Sequence, residues 1–244
     1  MEDKISLFSI IKEDFQTPIK NDPALHSKFE LIFNYPGVWA LVNYRISNRL
    51  YKNGFKFLAR MLSGINQIIT NIDIHPACTI GRGVFIDHGF GVVIGETTII
   101  DDGVLIYQGV TLGGVSLSSG KRHPTIQKNS VIGSGAKVLG NITIGQNCKI
   151  GANSVVVKDV PCSSTAVGVP ARIVRRKDDD CNQSTQLDHN NLPDVSKEMI
   201  TYLMKRVAVL EHALKEHDGI DVSSEDEELE KIYENFITAM KNDE

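Results

Sequence analysis

An aliphatic residue returns at every sixth position through the middle of this chain, with a slip of two residues after Ile86 and a break after Leu112. The set comprises Ile74, Ile80, Ile86, Ile94, Ile100, Ile106, Leu112, Ile126, Ile132, Val138, Ile144, Ile150 and Val156. A period of six fits neither an α-helix nor an ordinary alternating strand. It is the period of a parallel β-helix, in which three hexapeptides form one triangular coil with the aliphatic residue pointing inward.

A second inward position follows each aliphatic residue by four. It is small or medium-sized throughout: Cys78, Val84, Thr98, Val104, Val110, Ser130, Ala136, Cys148 and Ser154. Sixteen of the twenty glycines fall between Gly81 and Gly168, where the coils must turn corners. Cys78 and Cys148 are therefore predicted to be core residues. The cysteines and histidines show no zinc-type spacing, so no metal site is predicted.

The regions on either side of the repeat have a helical period. We expect a helical region over residues 1–71, with Asp22 and Pro23 opening one helix, and a β-helix over residues 72–176. Residues 177–196 are predicted to be a charged linker. Residues 197–244 are predicted to form a helical, coiled-coil extension that serves association, with heptad positions at Ile200, Leu203, Val207, Leu210 and Leu214.

The charge balance excludes some functions. Twenty-six basic residues face thirty acidic ones, for a net charge of −4, so no nucleic acid or anionic membrane is expected as a partner. The N-terminal segment lacks the features of a signal peptide, and no stretch is apolar enough to span a membrane. These observations predict a soluble, cytoplasmic protein.

Candidate chemistry lies where the repeat is interrupted. An excursion over residues 113–125 is rich in Gly and Ser and ends in a basic cluster with Arg122 and His123. His88 precedes the two-residue slip, and Asp73 lies fifteen residues earlier, close to one full coil. This spacing predicts an Asp–His dyad, which is suited to general-base catalysis near neutral pH. For His75 we favour a hydrogen bond at a coil corner.

Several long motifs resemble those of bacterial serine acetyltransferases, a family of hexapeptide-repeat acyltransferases. They are DIHPACTIGRG, FIDHGFGVVIGET, QGVTLGG, GKRHPTI and VGVPARIV, together with NDPA in the helical region. The resemblance runs from about residue 14 to residue 176. It implies a left-handed parallel β-helix preceded by a small helical domain. It also implies transfer of acetyl from acetyl-CoA to the hydroxyl of L-serine, which gives O-acetyl-L-serine for cysteine biosynthesis.

The resemblance assigns roles to individual residues. His88 matches the general base and Asp73 the residue that orients it. Asp22 and Asp87 match carboxylates that hold the serine ammonium, while Arg122 and His123 match the pair that receives the serine carboxylate. A backbone N–H near Gly114 would stabilise the oxyanion. The remaining cofactor contacts are assigned to Ser134, Gly151 and Arg172.

The resemblance also implies partners. L-Serine and acetyl-CoA are the expected substrates, and L-cysteine is the expected feedback inhibitor. A homo-oligomer built on a trimer is expected, and assembly into a dimer of trimers stays open because only 72 residues precede Asp73. Docking into cysteine synthase is expected to be poor, since relatives end in an isoleucine where this chain ends in Glu244.

Three alternatives stay open on the residues alone. A sugar or antibiotic acetyltransferase would use the same scaffold, although the GKRHP cluster favours an amino-acid carboxylate. A γ-type carbonic anhydrase needs three zinc-binding histidines, and none lies between His88 and His123. A purely structural module would leave the Asp, His and Arg residues unexplained.

Overall fold

The structure is a computed structural model that describes residues 6–176, 200, 202–210 and 213. Four helices come first: α1 (Leu7–Asn21), α2 (Glu30–Phe33), α3 (Pro36–Lys52) and α4 (Lys56–Thr70). Fifteen strands then follow within residues 73–176. They are β1 (Asp73–Ile74), β2 (Thr79–Ile80), β3 (Phe85–Ile86), β4 (Val93–Ile94), β5 (Ile99–Ile100), β6 (Leu105–Ile106), β7 (Thr111–Gly113), β8 (Thr125–Ile126), β9 (Val131–Ile132), β10 (Lys137–Leu139), β11 (Thr143–Ile144), β12 (Lys149–Ile150), β13 (Val155–Val156), β14 (Ser164–Gly168) and β15 (Ala171–Arg176).

From β1 to β13, every third strand joins the same sheet, so the strands form the three walls of a prism. Sheet A contains β1, β4, β7, β10 and β13, and sheet B contains β2, β5, β8 and β11. Sheet C contains β3, β6, β9, β12 and β14, all parallel, with β15 added antiparallel at its end. Val93 pairs with Thr111, and Lys137 with Val155, eighteen residues apart in each case. The predicted parallel β-helix is confirmed.

The interior of the prism is filled by the two inward sets that the sequence predicts. All thirteen aliphatic residues of the six-residue repeat are buried, and so are all nine residues of the second set. Cys78 and Cys148 are free thiols within this core. Burial raises the pKa of the Cys78 thiol to about 12, which keeps it protonated and unreactive near neutral pH. Each fully buried isoleucine contributes roughly 1.5–3 kcal/mol to folding.

Two departures from the period enlarge two edges of the prism. We call the border where sheet C turns into sheet A the C–A edge, and the border where sheet A turns into sheet B the A–B edge. The two-residue slip lengthens the C–A edge over residues 87–92, so that Asp73 pairs with Val93 at a separation of twenty residues. The excursion leaves the A–B edge over residues 114–124.

The beginning of the chain differs from the prediction at one point. Asp22 does not open a helix. It ends α1, and its carboxylate accepts a hydrogen bond from the Ala24 N–H at 2.8 Å, which stabilises a turn. An aspartate followed by proline suits either a helix start or a turn, and here the turn forms. Pro36 does stand at the first position of α3.

A buried ion pair attaches the helices to the prism. The guanidinium of Arg45 in α3 contacts both carboxylate oxygens of Asp14 in α1 at 3.0 Å. The same guanidinium donates to the carbonyl oxygens of Ile80 and Gly81 in the first coil. Burial raises the pKa of Asp14, and the contact with Arg45 opposes that shift. Helices α1 and α3 are thereby held against the prism by one cation.

Residues 193–244 form a separate unit and are described by themselves. Residues 202–210 are helical, and Ile200, Leu203, Val207 and Leu210 are exposed. The fifth predicted heptad residue, Leu214, lies outside the described residues, as do the predicted linker at 177–196 and residues 224–240. Among the helices that the structure describes, none has the length and apolarity needed to cross a bilayer.

Replacing Asp14 with Ala should destabilise the protein by about 3–5 kcal/mol, because it leaves the Arg45 guanidinium buried without a counter-ion. Urea unfolding followed by circular dichroism measures the change. The matched control is Glu13→Ala, which breaks the solvent-exposed pair with Arg82 and should cost about 1 kcal/mol or less. Equal losses for the two variants would contradict the role given to the buried pair.

Candidate active site

His88 lies in the lengthened loop of the C–A edge. Its φ of 59° is in the left-handed region, and Gly89 and Gly91 on the same loop also have positive φ. A Cβ at Gly89 would lie 2.5 Å from Ile72 Cδ1, so the loop packs closely on the residue that precedes β1. The side chain of His88 is 72 % exposed, and its Nε2 lies 4.0 Å from Asp87 Oδ1. The loop therefore holds an accessible imidazole beside a carboxylate.

Asp73 lies at the same C–A edge. It opens strand β1, and its N–H donates to the carbonyl of Val92, while the Gly91 N–H donates to Asn71. The loop that carries His88 is thus hydrogen-bonded to the backbone beside Asp73. Over residues 6–176, no hydrogen bond or ion pair joins the two side chains. The dyad stays a prediction.

Asp22 and Asp87 line one cavity of about 300 Å³ outside sheet C, which Tyr107 also lines. The hydroxyl of Tyr35 donates to Asp22 Oδ2 at 2.7 Å and holds that carboxylate in place. Burial raises the pKa of Asp87, and the negative charge of Asp22 adds to the increase against the opposing effect of His88. Two carboxylates that repel each other in a half-buried cavity provide a site for a cation.

Arg122 and His123 lie at the A–B edge, at the base of the excursion. The Arg122 guanidinium pairs with Glu96 at 2.5 Å, and this hydrogen bond holds the pKa of Glu96 below its ordinary value. Lys121 extends its ammonium to the carbonyl of Thr97 at 2.6 Å. The base of the excursion is therefore tied to the preceding coil by polar contacts.

His123 is buried against backbone at this edge. A Cβ at Gly95 would lie only 2.0 Å from its ring, so the ring occupies space that glycine alone leaves free. The Nε2 atom also lies 3.2 Å from the position of a Cβ on Gly114. Burial lowers the pKa of His123, and the charge of Arg122 lowers it further. The imidazole is therefore neutral at physiological pH.

The predicted cofactor residues fall in two places. Ser134 and Gly151 lie on successive coils at the C–A edge, and Arg172 is exposed on β15, which closes sheet C. Gly114 lies apart from them, next to His123 at the A–B edge. His75 accepts a hydrogen bond from the Ala77 N–H at 3.1 Å, the corner role expected for it. In the part of the chain that the structure describes, no group of His, Cys, Asp and Glu could hold a metal ion.

Three further residues contact the candidate site and were not singled out from the sequence. Tyr35 holds Asp22, Glu96 holds Arg122, and Thr97 contacts His123. Glu96 and Thr97 belong to the GET motif, but both occupy ordinary corner positions of the repeat. Tyr35 comes before the proline that opens α3, and nothing in its local pattern indicates a link to Asp22.

The candidate residues form two groups of opposite charge. His88, Asp73, Asp87 and Asp22 are at or near the C–A edge, whereas Arg122 and His123 are at the A–B edge. The two edges border sheet A on opposite sides. One chain therefore presents an acidic group with an exposed imidazole and, separately, a group suited to an anion.

Comparison with known proteins identifies what this chain resembles. The family described as Bacterial transferase hexapeptide (six repeats) matches residues 123–158. The serine acetyltransferase of Synechococcus elongatus is 44 % identical over 224 residues, which is 92 % of this chain and 89 % of that protein. The Bacillus subtilis serine acetyltransferase is 47 % identical over 209 residues, 86 % of this chain and 95 % of the relative.

Solved structures of serine acetyltransferases have the same fold. A soybean enzyme complexed with serine is 43 % identical with a TM-score of 0.67, covering 69 % of this chain and 70 % of that one. A Brucella abortus enzyme with coenzyme A is 44 % identical with a TM-score of 0.66, covering 68 % and 67 %. A serine acetyltransferase in complex with cysteine is 44 % identical with a TM-score of 0.67, covering 69 % and 70 %.

Replacing Asp87 with Asn should stabilise the free protein at pH 8, because the variant removes a charge that the cavity disfavours. The penalty on ionised Asp87 is present above its raised pKa and disappears as the pH falls below the ordinary value of about 3.9. Thermal unfolding from pH 8 to pH 4 should therefore show an advantage that shrinks on acidification. In an Asp22→Asn background the advantage should be smaller. A wild type more stable than the variant at pH 8 would refute this account.

Proposed function

Because this chain belongs to the serine acetyltransferase family, we propose that its active site forms where the C–A edge of one copy meets the A–B edge of another. The chain has the left-handed β-helix fold of that family and is a serine O-acetyltransferase with acetyl-CoA as acetyl donor. The observation that carries the proposal is the separation of the two charged groups, which sheet A keeps apart within one chain.

The acidic group supplies the binding site for the ammonium of L-serine. Asp22 and Asp87 line one cavity, and burial together with the negative charge of Asp22 raises the pKa of Asp87 in the free protein. An ammonium ion would relieve their repulsion and donate hydrogen bonds to both carboxylates. The soybean relative complexed with serine supports this choice of ligand.

The basic group supplies the binding site for the carboxylate. A guanidinium can bind a carboxylate with two parallel hydrogen bonds, and Glu96 accepts a single hydrogen bond from Arg122 Nη2. His123 adds a ring nitrogen beside it. Serine is a small zwitterion and must touch both groups at once, which requires edges from two copies. A trimer brings like prisms together about one axis and is the assembly that we propose.

His88 is proposed to take the proton from the serine hydroxyl as the oxygen attacks the thioester carbonyl of acetyl-CoA. A tetrahedral intermediate results, whose oxyanion is stabilised by the N–H near Gly114. When the intermediate collapses, the C–S bond breaks, and the coenzyme A thiolate takes the proton from His88. Asp73 is proposed to orient the imidazole, since both residues lie at the C–A edge.

Coenzyme A is proposed to lie along the coils near the end of the prism. On the C–A edge there, Ser134 is partly exposed and Gly151 is buried, while the exposed Arg172 supplies positive charge for the phosphates. Ser134 and Gly151 share an edge with His88 but belong to later coils. A long, narrow ligand lying parallel to the prism axis would reach from Arg172 towards the loop of residues 87–92.

L-Cysteine is proposed to inhibit by occupying the serine site, because it offers the same ammonium and carboxylate. A relative solved in complex with cysteine supports this proposal. An association role for the C-terminal helical residues, poor docking to cysteine synthase and a cytoplasmic location stay predictions from the sequence.

The activity is tested by thiol release from acetyl-CoA with a panel of hydroxyl acceptors: L-serine, L-threonine, D-serine and simple sugars. L-Serine should be much the best acceptor. His88→Ala should lower kcat about 10²–10⁴-fold. The control is His26→Ala, which removes an exposed histidine that belongs to neither group and should leave the rate unchanged. Turnover above half the wild-type rate in the His88 variant would refute the general-base assignment.

Arg122→Ala should raise the KM for L-serine about tenfold or more and leave the KM for acetyl-CoA nearly unchanged. The reason is that the guanidinium binds the amino-acid carboxylate and does not touch the thioester. Inhibition by L-cysteine should weaken in parallel. Steady-state kinetics with each substrate varied in turn provide the measurement. Equal increases in both KM values would show instead that the base of the excursion contacts coenzyme A.

A further inference from the structure

The hydroxyl of Thr97 has three polar neighbours at the base of the excursion. It accepts hydrogen bonds from the backbone N–H of Arg122 at 3.0 Å and of His123 at 3.1 Å. It also lies 2.9 Å from His123 Nδ1. The backbone N–H of Thr97 donates to the same Nδ1 at 3.2 Å. One threonine thus contacts the backbone and the ring of the residue assigned to the substrate carboxylate.

The hydrogen-bonding capacity of a threonine hydroxyl determines the direction of these bonds. The hydroxyl has one proton to donate and two lone pairs that accept. Two backbone N–H groups occupy the lone pairs, so the proton is directed to His123 Nδ1. The Thr97 N–H donates a second hydrogen bond to Nδ1. A nitrogen that accepts two hydrogen bonds carries no proton of its own.

We propose that Thr97 is a positioning residue that holds His123 as a neutral imidazole with its single proton on Nε2. In the opposite tautomer, the proton on Nδ1 would face two donors, the Thr97 hydroxyl and the Thr97 N–H. A doubly protonated ring would face the same clash. Sequence position gives no sign of this role, since Thr97 and His123 are 26 residues apart.

The charges around the ring agree with a neutral form. Arg122 and Lys121 disfavour a second proton, Glu96 favours one, and His75 lies close enough to interact electrostatically. Burial has the largest effect and lowers the pKa of His123. Burial and most of the surrounding charges therefore favour the neutral ring, as do the hydrogen bonds from Thr97.

This role deepens the proposed function and rests on it for its consequence. With the proton on Nε2, the ring presents a donor near Gly114, where a Cβ would lie 3.2 Å from both Nε2 and the Cγ of Arg122. A carboxylate would then be bound by an Arg122 N–H and the His123 Nε2–H together. The other tautomer would present a lone pair to the carboxylate and repel it. Thr97 thereby favours an amino acid over an acceptor that lacks a carboxylate.

The tautomer is tested on the free protein by NMR with ¹⁵N-labelled histidine. The His123 signals are assigned by their loss in His123→Gln. In the wild type, Nδ1 should resonate as an unprotonated nitrogen and Nε2 as a protonated one, down to a pH below the ordinary histidine pKa. Thr97→Val should give a mixture of tautomers, and Thr97→Ser, which keeps the hydroxyl, should retain the wild-type pattern. A protonated Nδ1 in the wild type, or a Thr97→Val spectrum identical to it, would overturn the proposal.

Kinetics give the second readout. Thr97→Val should raise the KM for L-serine about tenfold with the KM for acetyl-CoA unchanged, and Thr97→Ser should restore most of the loss. A loss of kcat with both KM values unchanged would contradict the positioning role. The wild-type spectrum requires no substrate. If L-serine were not the acceptor, the kinetic test would fail for the wild type while the NMR result would still decide the tautomer.

Discussion

The stacking of flat coils at one strand spacing is the constraint on which the rest of the structure depends. Each coil hydrogen-bonds to the coil below it, so the space inside the prism is the same at every level. Aliphatic side chains of similar size fill it, and Thr98 Oγ1 is one of the few polar atoms within residues 6–176 that are buried there without a partner. Charged and reactive side chains are therefore excluded from the interior of the prism. They are confined to the edges, and mainly to the two edges where the period is interrupted.

The helices and the prism together build the acidic half of the site. Asp22 comes from the turn after α1, whereas Asp87 comes from the first coil. Their relative position depends on the Arg45 guanidinium, which binds Asp14 of α1 and two carbonyl groups of that coil. Tyr35 then fixes the carboxylate of Asp22 from the segment before α3. The small helical region therefore contributes directly to substrate binding, in addition to any role in assembly.

The sequence predicts the prism well because a six-residue period of aliphatic residues has one common structural explanation. Every inward residue follows from it, as do the corner hydrogen bond of His75 and the exposed loop around His88. The period says nothing about contacts across the excursion. Thr97 and His123 are neighbours only because the coil resumes after the excursion. The excursion does not follow the six-residue period, so the period does not predict which residue of the preceding coil contacts His123. The turn at Asp22 was missed because aspartate before proline suits both a helix start and a turn.

The base of the excursion is anchored to the prism, whereas its outer part is exposed. Its base is held to the preceding coil through Thr97 and Glu96, while Val115 and Leu117 farther out are exposed to solvent. Arg122 and His123 themselves make those contacts, so their positions depend on the preceding coil. The outer part can therefore change in length or composition without moving Arg122 and His123.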